Sequence, residues 1–496
     1  MASTTFPEAT RPDRTDGGDA ASRAARRESE LGRVRFRRAI VLLVMTLLLP
    51  GSAQLVMGEK RVGRIAIRTF LTCLVVLVAT VLLGLVSNGF VFWLGSNTFV
   101  LGLLRVGLVV LAIGWALLFI DAWRLGEPLR LAQKQRLFMV GANGVLVFVV
   151  AGSLLFASHI VAVQKGFISA LFGDGVVSAA EHGRYNVLLI GGDTGAGRWG
   201  TRTDSMTVAS IDEDTGRTVL FGLPRNMTDF PFAEGSVMDE AFPDGYDCEG
   251  CELNSLSTWA GDHTDLFKGD TDPGIDATIQ GIEGITGLKI NYYVMVDLAG
   301  FRGLVAALGG ITVNVRDAIP IGGGEQGQIG TIEPGVQKLN GFQALWFARS
   351  RMSADDYSRM ARQKCVMNAM LHQLTPTNVI KNFGRLAEAG KNTLTTNLPA
   401  SELDTFAQLA LKAKSQPIGS VSFVPPAINT ADPDIDKIHA MVGTAIDRSE
   451  SASGKAAKKS TQGFNQNHTG ASTGGSIGSL SSGYAANKAQ NLSRVC

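Results

Sequence analysis

Soft metal ligands are scarce: the 496-residue chain has five cysteines and six histidines. Only Cys248 and Cys251 stand close together, and neither a second C-x-x-C nor a neighbouring histidine pair completes the four ligands of a structural zinc site. No thioredoxin-like strand and helix frame the pair, so a redox centre is disfavoured. A structural disulfide is expected, Cys248 with Cys251 or one of them with Cys365. Cys365 and Cys496 otherwise stand alone, and Cys73 lies in an apolar run. Phosphate-loop chemistry is missing too. The glycines of 191–197 lack the Gly-Lys-Ser/Thr of a P-loop, and no clear helix follows them to complete a dinucleotide fingerprint. No internal repeat is visible. The net charge of +2 averages unlike regions and excludes nothing.

The chain does hold a concentration of apolar residues between 39 and 163, which raises the mean hydropathy to +0.16. Ahead of it lies a polar tail, 1–38, rich in arginine (Arg23, Arg26, Arg27, Arg33, Arg35, Arg37, Arg38) and expected to be disordered. A nucleic-acid patch is the alternative for that run, but it ends directly at an apolar segment and has no interleaved aromatics. The positive-inside rule makes it a cytoplasmic tail. Residues 69–86, 99–120 and 137–160 are each long enough to approach the roughly 20 apolar residues that a crossing needs. Residues 39–49, before Pro50-Gly51, are too few and should dip in and return or lie at the interface, within a segment 39–57. The loops 59–68 and 121–136 are basic and belong inside, whereas 87–98 carries no charge and belongs outside. Three crossings follow, with everything after 163 outside; a fourth would expose the arginine tail. No small-residue cleavage site ends the first apolar segment, so no signal peptide is expected.

After a connector at 164–184, residues 185–446 alternate strands and helices and make one α/β or α+β domain of about 260 residues, large enough for a proper core. Strands are expected at 187–190, 206–211, 218–223, 292–296, 311–315 and 421–424, and helices at 276–286, 298–308, 358–374 and 401–412. From 447 the chain is Ser/Gly-rich with almost no bulky apolar residue and should be a flexible tail. Charged residues gather at strand ends. Asp193 follows a buried strand and Gly191-Gly192, at the carboxyl end where α/β sheets place ligands. Arg202 and Asp204 precede the next strand, and Pro224 aims Arg225 from the same edge. Arg349 and Arg351, two apart, would share one face of a strand; Arg359 and Arg362, three apart, share a helix face. Singly, each could be an ordinary solvated charge. Jointly, planar forks that grip phosphate beside carboxylates that suit magnesium point to an enzyme handling a phosphorylated lipid outside the membrane.

These blocks resemble the LytR–CpsA–Psr (LCP) family of cell-wall glycopolymer ligases. The matching stretches run in order over about 190 residues: Asn186-Val-Leu-Leu-Ile-Gly-Gly-Asp193, Arg202-Thr-Asp-Ser205 before a strand ending at Asp212, Gly222-Leu-Pro-Arg-Asn226, Glu252-Leu-Asn-Ser255, Tyr293 to Phe301, Leu308 to Val315, Leu339 to Arg351, and Asp356-Tyr-Ser-Arg-Met-Ala-Arg-Gln363. The membrane part carries no such match. The resemblance implies an extracytoplasmic LCP-type domain, a mixed sheet flanked by helices behind an α-helical membrane region. It implies a phosphotransferase that moves a glycan from a polyprenyl-pyrophosphate carrier onto peptidoglycan or a related wall polymer, leaving a phosphodiester. Carried over residue by residue, Asp193 and Asp204 would hold magnesium or manganese. Arg202, Arg225, Arg349, Arg351, Arg359, Arg362 and Gln363 would grip the pyrophosphate, with Arg225 and Asp204 catalytic. A hydrophobic groove would take the isoprenoid tail, and no nucleic acid is expected as a partner.

Two positions depart from the family pattern. Asn226 follows Arg225 where an aspartate is usual, and Glu252 stands where many relatives carry lysine. Neither touches the main arginines. Hydrolysis, with water as acceptor, uses the same residues and is the nearest alternative; a non-catalytic binder of lipid-linked glycan is the other.

Overall fold

The computed structural model describes residues 16–86, 88–172, 175–193, 202–267, 272–323, 327–352, 355–373, 390, 393–451 and 485–496. The chain divides into two compact units, Met1–Leu94 with Thr98–Lys165, and Gly166–Cys496 with Gly95–Asn97.

The first unit is helical: α1 (Asp16–Leu48), α2 (Ser52–Val56), α3 (Lys60–Val86), α4 (Asn88–Ser96), α5 (Thr98–Leu125) and α6 (Gln133–Leu171). Three helices are long and apolar enough to cross a membrane: Lys60–Val86, the helical stretch Thr98–Arg130, and Gln133–Ser169. Helix α1 already begins at Asp16, inside the stretch expected to be disordered, because alanine, arginine, glutamate and leucine dominate it and favour helix. Segment 39–57 is the end of α1, a turn, and α2. The turn hinges on Gly51 at φ 93°, where a Cβ would stand 2.7 Å from the Ala66 Cβ and from the Gly63 carbonyl oxygen. Ala39, Leu42 and Leu43 pack with Phe119, Ala122 and Met139. The buried Gln54 amide donates to the Leu118 carbonyl and to Asp121 Oδ2.

The second unit is built on a mixed sheet. Its elements are β1 (Arg184–Asp193), β2 (Arg202–Asp212), β3 (Thr218–Leu223), α7 (Val237–Ala241), α8 (Leu256–Asp262), α9 (Pro273–Thr286), β4 (Tyr292–Asp297), α10 (Leu298–Ala307), β5 (Ile311–Val315), β6 (Ile319–Gly322), β7 (Gln328–Ile332), β8 (Gly335–Leu339), α11 (Gly341–Arg349), α12 (Asp356–Gln373), β9 (Leu394–Thr396), α13 (Leu403–Lys414), β10 (Ile418–Ser422), α14 (Ile435–Ser451) and β11 (Lys488–Ala489). The order is β11-β10-β3-β2-β1-β4-β9. β1 pairs antiparallel with β2 and parallel with β4, and β3 pairs parallel with β10. Alternation along β1 decides the layers. Leu188 and Ile190 join Met206, Val208, Phe221, Ile282 and Ile438 in one core, against α9 and α14. Leu189 faces the other way, with Ala209, Leu220 and Ile418 under Ala361 and Cys365 of α12. Because both faces are covered, β1 reads as a continuous apolar run. A third cluster, with Val305, Ile311, Leu339, Phe347 and Val366, fixes α10, α11 and the two-stranded pairs β5–β8 and β6–β7 beside α12.

Three further expectations are corrected. Arg349 and Arg351 do not share a strand: Arg349 ends α11, and Arg351 lies in the loop beyond it. The helix forms because Asn340 accepts from the Gln343 amide while the Gln343 side chain accepts from the Asn340 amide, a reciprocal cap before an apolar run at helical spacing. The tail expected from 447 does not begin there, since α14 continues to Ser451. Farther on, 485–496 returns to the sheet, where β11 pairs with β10 and Leu492 is buried. Cys365 pairs with Cys496, alongside the expected Cys248–Cys251 bridge. Polar composition hid a short anchoring strand whose hold comes from backbone pairing and a covalent bond.

Candidate active site

The site forms where β1 and β3 end and β2 and α12 begin. Along β1 and β2, Gly191 faces Ser205 but Gly192 faces Thr203, so Asp204 is an extra residue in a β-bulge. Bulges re-aim a side chain at a sheet rim. Here Asp204 Oδ1 meets the Arg225 NH1 at 2.5 Å, just after β3. Backbone pairing sets Asp193 opposite Arg202 at the same rim; the side chains of these two lie outside the described residues.

Asp356, the first residue of α12, collects three guanidinium groups. Arg359 NH2 lies 3.0 Å from its Oδ2, while Arg225 Nε and Arg351 NH1 lie 3.5 and 3.6 Å from its Oδ1. Arg359 also donates to the Asp204 carbonyl at 2.9 Å, closing a ring of Asp204, Arg225, Asp356 and Arg359. Below it, Arg362 is fully buried and donates to the Ser350 carbonyl. Gln363 accepts from Ser205 Oγ at 2.9 Å and donates to the Ala348 carbonyl at 3.3 Å, tying α12 to β2 and α11. Arg349 sits over the Trp346 ring, its Cζ 5.9 Å from the centroid. The structure thus joins Asp204, Arg225, Arg351 and Arg359 by ion pairs through Asp356 and sets Arg362 and Gln363 beside them, with Arg349 over the Trp346 ring. Asp356 was missing from the sequence-derived site. Its position three residues before Arg359, at a helix start, was the available signal.

The arginines are held under electrostatic tension. Burial pulls the Arg359 guanidinium below its ordinary range, and Arg225 adds to this while Asp356 and Asp204 oppose it. Arg362 is pushed down to about 10, first by burial and then by Arg359, with Asp355 opposing. Arg359 Nε, Arg362 Nε and Arg362 NH1 are buried and, among the described residues, without a hydrogen-bond partner. Buried donors are nearly always satisfied, so donors left over on Arg359 and Arg362, in a site that also holds Arg225 and Arg351, suit an anion. Next on α12, Lys364 is buried and donates to Ser422 Oγ, which donates to Asn487 of the returning C-terminal segment. Burial alone lowers Lys364 to about 7. Gly222 makes room for it: a Cβ there would stand 2.9 Å from Lys364 Nζ.

Magnesium can be held by one or two carboxylates completed by water and substrate phosphate. Asp204 on its bulge and the backbone position of Asp193 one pair away supply that donor chemistry. Among the described residues no group of three His, Cys, Asp or Glu gathers to hold a metal, here or elsewhere, so the rim would offer at most two carboxylates.

Residues 164–446 match the LytR_cpsA_psr family over more than half of the chain. The chain belongs to that family. Biofilm regulatory protein A of Streptococcus mutans is 27% identical over 46% of this chain and 53% of its own length. The polyisoprenyl-teichoic acid–peptidoglycan teichoic acid transferase TagU of Oceanobacillus iheyensis is 29% identical over 46% of this chain and 62% of its own. The cell wall biosynthesis protein LcpA of Corynebacterium glutamicum is 22% identical over 63% of this chain and 66% of its own. The chain spans less than two thirds of the length of these relatives. The crystal structure of Bacillus subtilis TagV matches 54% of this LCP chain and 98% of that chain at 21% identity, with a TM-score of 0.38.

Proposed function

We propose that this LCP protein is a membrane-anchored phosphotransferase that moves a glycopolymer from a polyprenyl-pyrophosphate lipid onto peptidoglycan or a related wall polymer. The observation that carries the reading is the set of buried, unpaired guanidinium donors of Arg359 and Arg362 beside Arg225 and Arg351. The names of its relatives, teichoic acid–peptidoglycan transferases among them, support it. Phosphoryl transfer asks a protein mainly for alignment and charge neutralisation, and this ring supplies both.

In the proposed step an acceptor hydroxyl oxygen attacks the sugar-linked phosphorus. A new P–O bond forms, the bond from that phosphorus to the bridging oxygen breaks, and polyprenyl phosphate leaves with the electron pair. The hydroxyl proton passes to an aspartate at the rim. Arg225 and Arg351 would face the substrate from the half-exposed side, Arg359 and Arg362 from beneath, and Gln363 would steady the helix against β2. Bound magnesium, held by Asp193 and Asp204, would neutralise charge on the transferring phosphate. Arg225 now holds Asp204, so it would turn from that carboxylate to the phosphate when substrate and cation enter. The three long apolar helices suggest a membrane anchor. We propose that all three cross, with the arginine-rich α1 inside and the second unit outside.

The test is full-length protein in nanodiscs with a synthetic polyprenyl-pyrophosphate glycan, peptidoglycan fragments and magnesium. Phosphodiester-linked product supports the ligase. Polyprenyl phosphate released without linkage would replace it with a hydrolase, and binding without turnover with a regulator. Asp204→Asn should flatten the magnesium dependence of product formation; an unchanged magnesium titration would move the metal away from this rim.

A further inference from the structure

Helix α5 is apolar from Thr98 to Ile120 except for Arg105, its eighth residue, about 10 Å along the axis from the helix start. A guanidinium at that depth in a span is costly and marks a functional position unless a partner compensates it. No acidic side chain is near in sequence: residues 87–120 and 129–172 contain neither Asp nor Glu. Among the described residues of this unit, the ion pairs join Arg124 and Arg130 to Glu59, Asp121 and Glu127, all beyond Ile120 or before α3, and none includes Arg105 or Lys165.

A second cation from the neighbouring helix lies against Gly102, one turn before Arg105. Helices α5 and α6 run antiparallel here, since Ser158 Oγ lies 3.5 Å from the Arg105 carbonyl while Lys165 Nζ lies 3.2 Å from where a Cβ on Gly102 would stand. Gly102 is three residues before Arg105 and therefore on the same face. Side chains lean toward the N-terminus of their own helix. Arg105 thus leans toward Thr98, and Lys165 leans back along α6 toward Ser158, so the two approach from opposite directions. The missing Cβ at Gly102 leaves the ammonium room against the backbone. This end of the helices faces outward in the proposed topology, where lysine and arginine are normally sparse. Beside the pair, Leu103, Leu104, Val106, Phe156 and Ile160 are exposed and offer an apolar track.

We infer that Arg105 and Lys165 form a binding site in the membrane unit for the diphosphate headgroup of a polyprenyl lipid. The inference rests on the polyprenyl-pyrophosphate reading above and adds a second place where the carrier is held. Charge balance selects the headgroup. A glycan-linked diphosphate carries two negative charges and matches two cations, whereas the single charge of a phospholipid phosphodiester leaves one uncompensated. The prenyl chain lies along the apolar residues of α5 and α6. No bond is made or broken there.

The experiment uses the full chain in phosphatidylcholine nanodiscs with a photoreactive polyprenyl diphosphate, followed by mapping of the cross-linked peptides. Cross-links are expected in α5 and α6. They should fall about tenfold or more in R105Q/K165Q, as loss of charge-assisted bonds dictates, and persist in R105K/K165R. Unlabelled polyprenyl diphosphate should compete, and phosphatidylglycerol should not. Undiminished α5 and α6 cross-links in R105Q/K165Q would overturn the site. Equal competition by phosphatidylglycerol would overturn it as well, in favour of a general anionic-lipid contact. Arg225→Ala, run in parallel, separates the two claims: its effect on glycan transfer tests the ligase reading, while its α5 and α6 cross-links should match those of the unaltered chain.

Discussion

Arg225 is held at the rim by Asp204 at 2.5 Å and by Asp356 at 3.5 Å, within a short turn of the place proposed for the phosphate. Its side chain is about one fifth exposed, and partly exposed ion pairs add little to stability. Arg225→Ala should therefore reduce kcat/KM for transfer by about 100-fold or more while the melting temperature barely moves. Normal transfer by that variant would remove Arg225 from the site. Asp356 is a different case, because it neutralises Arg359, which is buried. Asp356→Asn leaves that guanidinium facing Arg225 with only Asp204 to offset it, and the expected cost is about 1–3 kcal/mol of unfolding free energy. Denaturant titration reads it, and an unchanged midpoint would show that the arginines do not depend on this carboxylate.

At the scale of elements, α12 carries the site on one side and the anchoring of the fold on the other. Arg359, Arg362 and Gln363 reach the rim, whereas Lys364 and Cys365 hold the returning C-terminus through Ser422, Asn487 and Cys496. Lys364 titrates near 7 in the fold against an ordinary 10.5. The unfolded chain then binds the proton more tightly, so protonation favours unfolding. The penalty is full below pH 7 and lifts as pH rises from 7 toward 10.5, by up to about 1.4 kcal/mol per unit. Lys364→Met should flatten the gain in melting temperature between pH 7 and 9 that the unaltered domain shows. An equal gain in both proteins would assign that pH response to other groups. Much of the central sheet was legible in sequence, since β1 and β3 are apolar runs between glycine, proline and aspartate. So was α12, whose arginines fall at helical spacing. The bulge at Asp204 was not legible, because it depends on how β1 and β2 register. Nor was the tie between Cys365 and Cys496, whose partners lie 131 residues apart. α11 was misread because a two-residue spacing of arginines outweighed the capping box that precedes it.

For the whole molecule, the distribution of charge argues the topology. Helices of 27, 33 and 37 residues exceed the roughly 20 that a crossing requires. Lys60, Arg61, Arg64 and Arg68 lie in the first turns of α3, and Arg124, Arg130, Lys134 and Arg136 lie at the facing ends of α5 and α6 and in the connection between them. Both basic clusters should stay in the cytoplasm with the arginines of α1. The chain from 39 to 57 turns back at Pro50-Gly51, so α1 and α2 need not add a crossing. An odd number of crossings would then send the second unit outward, where disulfides such as Cys365–Cys496 persist. Protease added to intact cells should remove the second unit and leave a protected N-terminal fragment of about one third of the chain. An N-terminal epitope tag should be reached by antibody only after the cells are permeabilised. A tag reached on intact cells would establish a fourth crossing through 39–57. Complete protection of the second unit would reverse the orientation and, with it, the side of the membrane on which the arginine ring could meet a wall polymer.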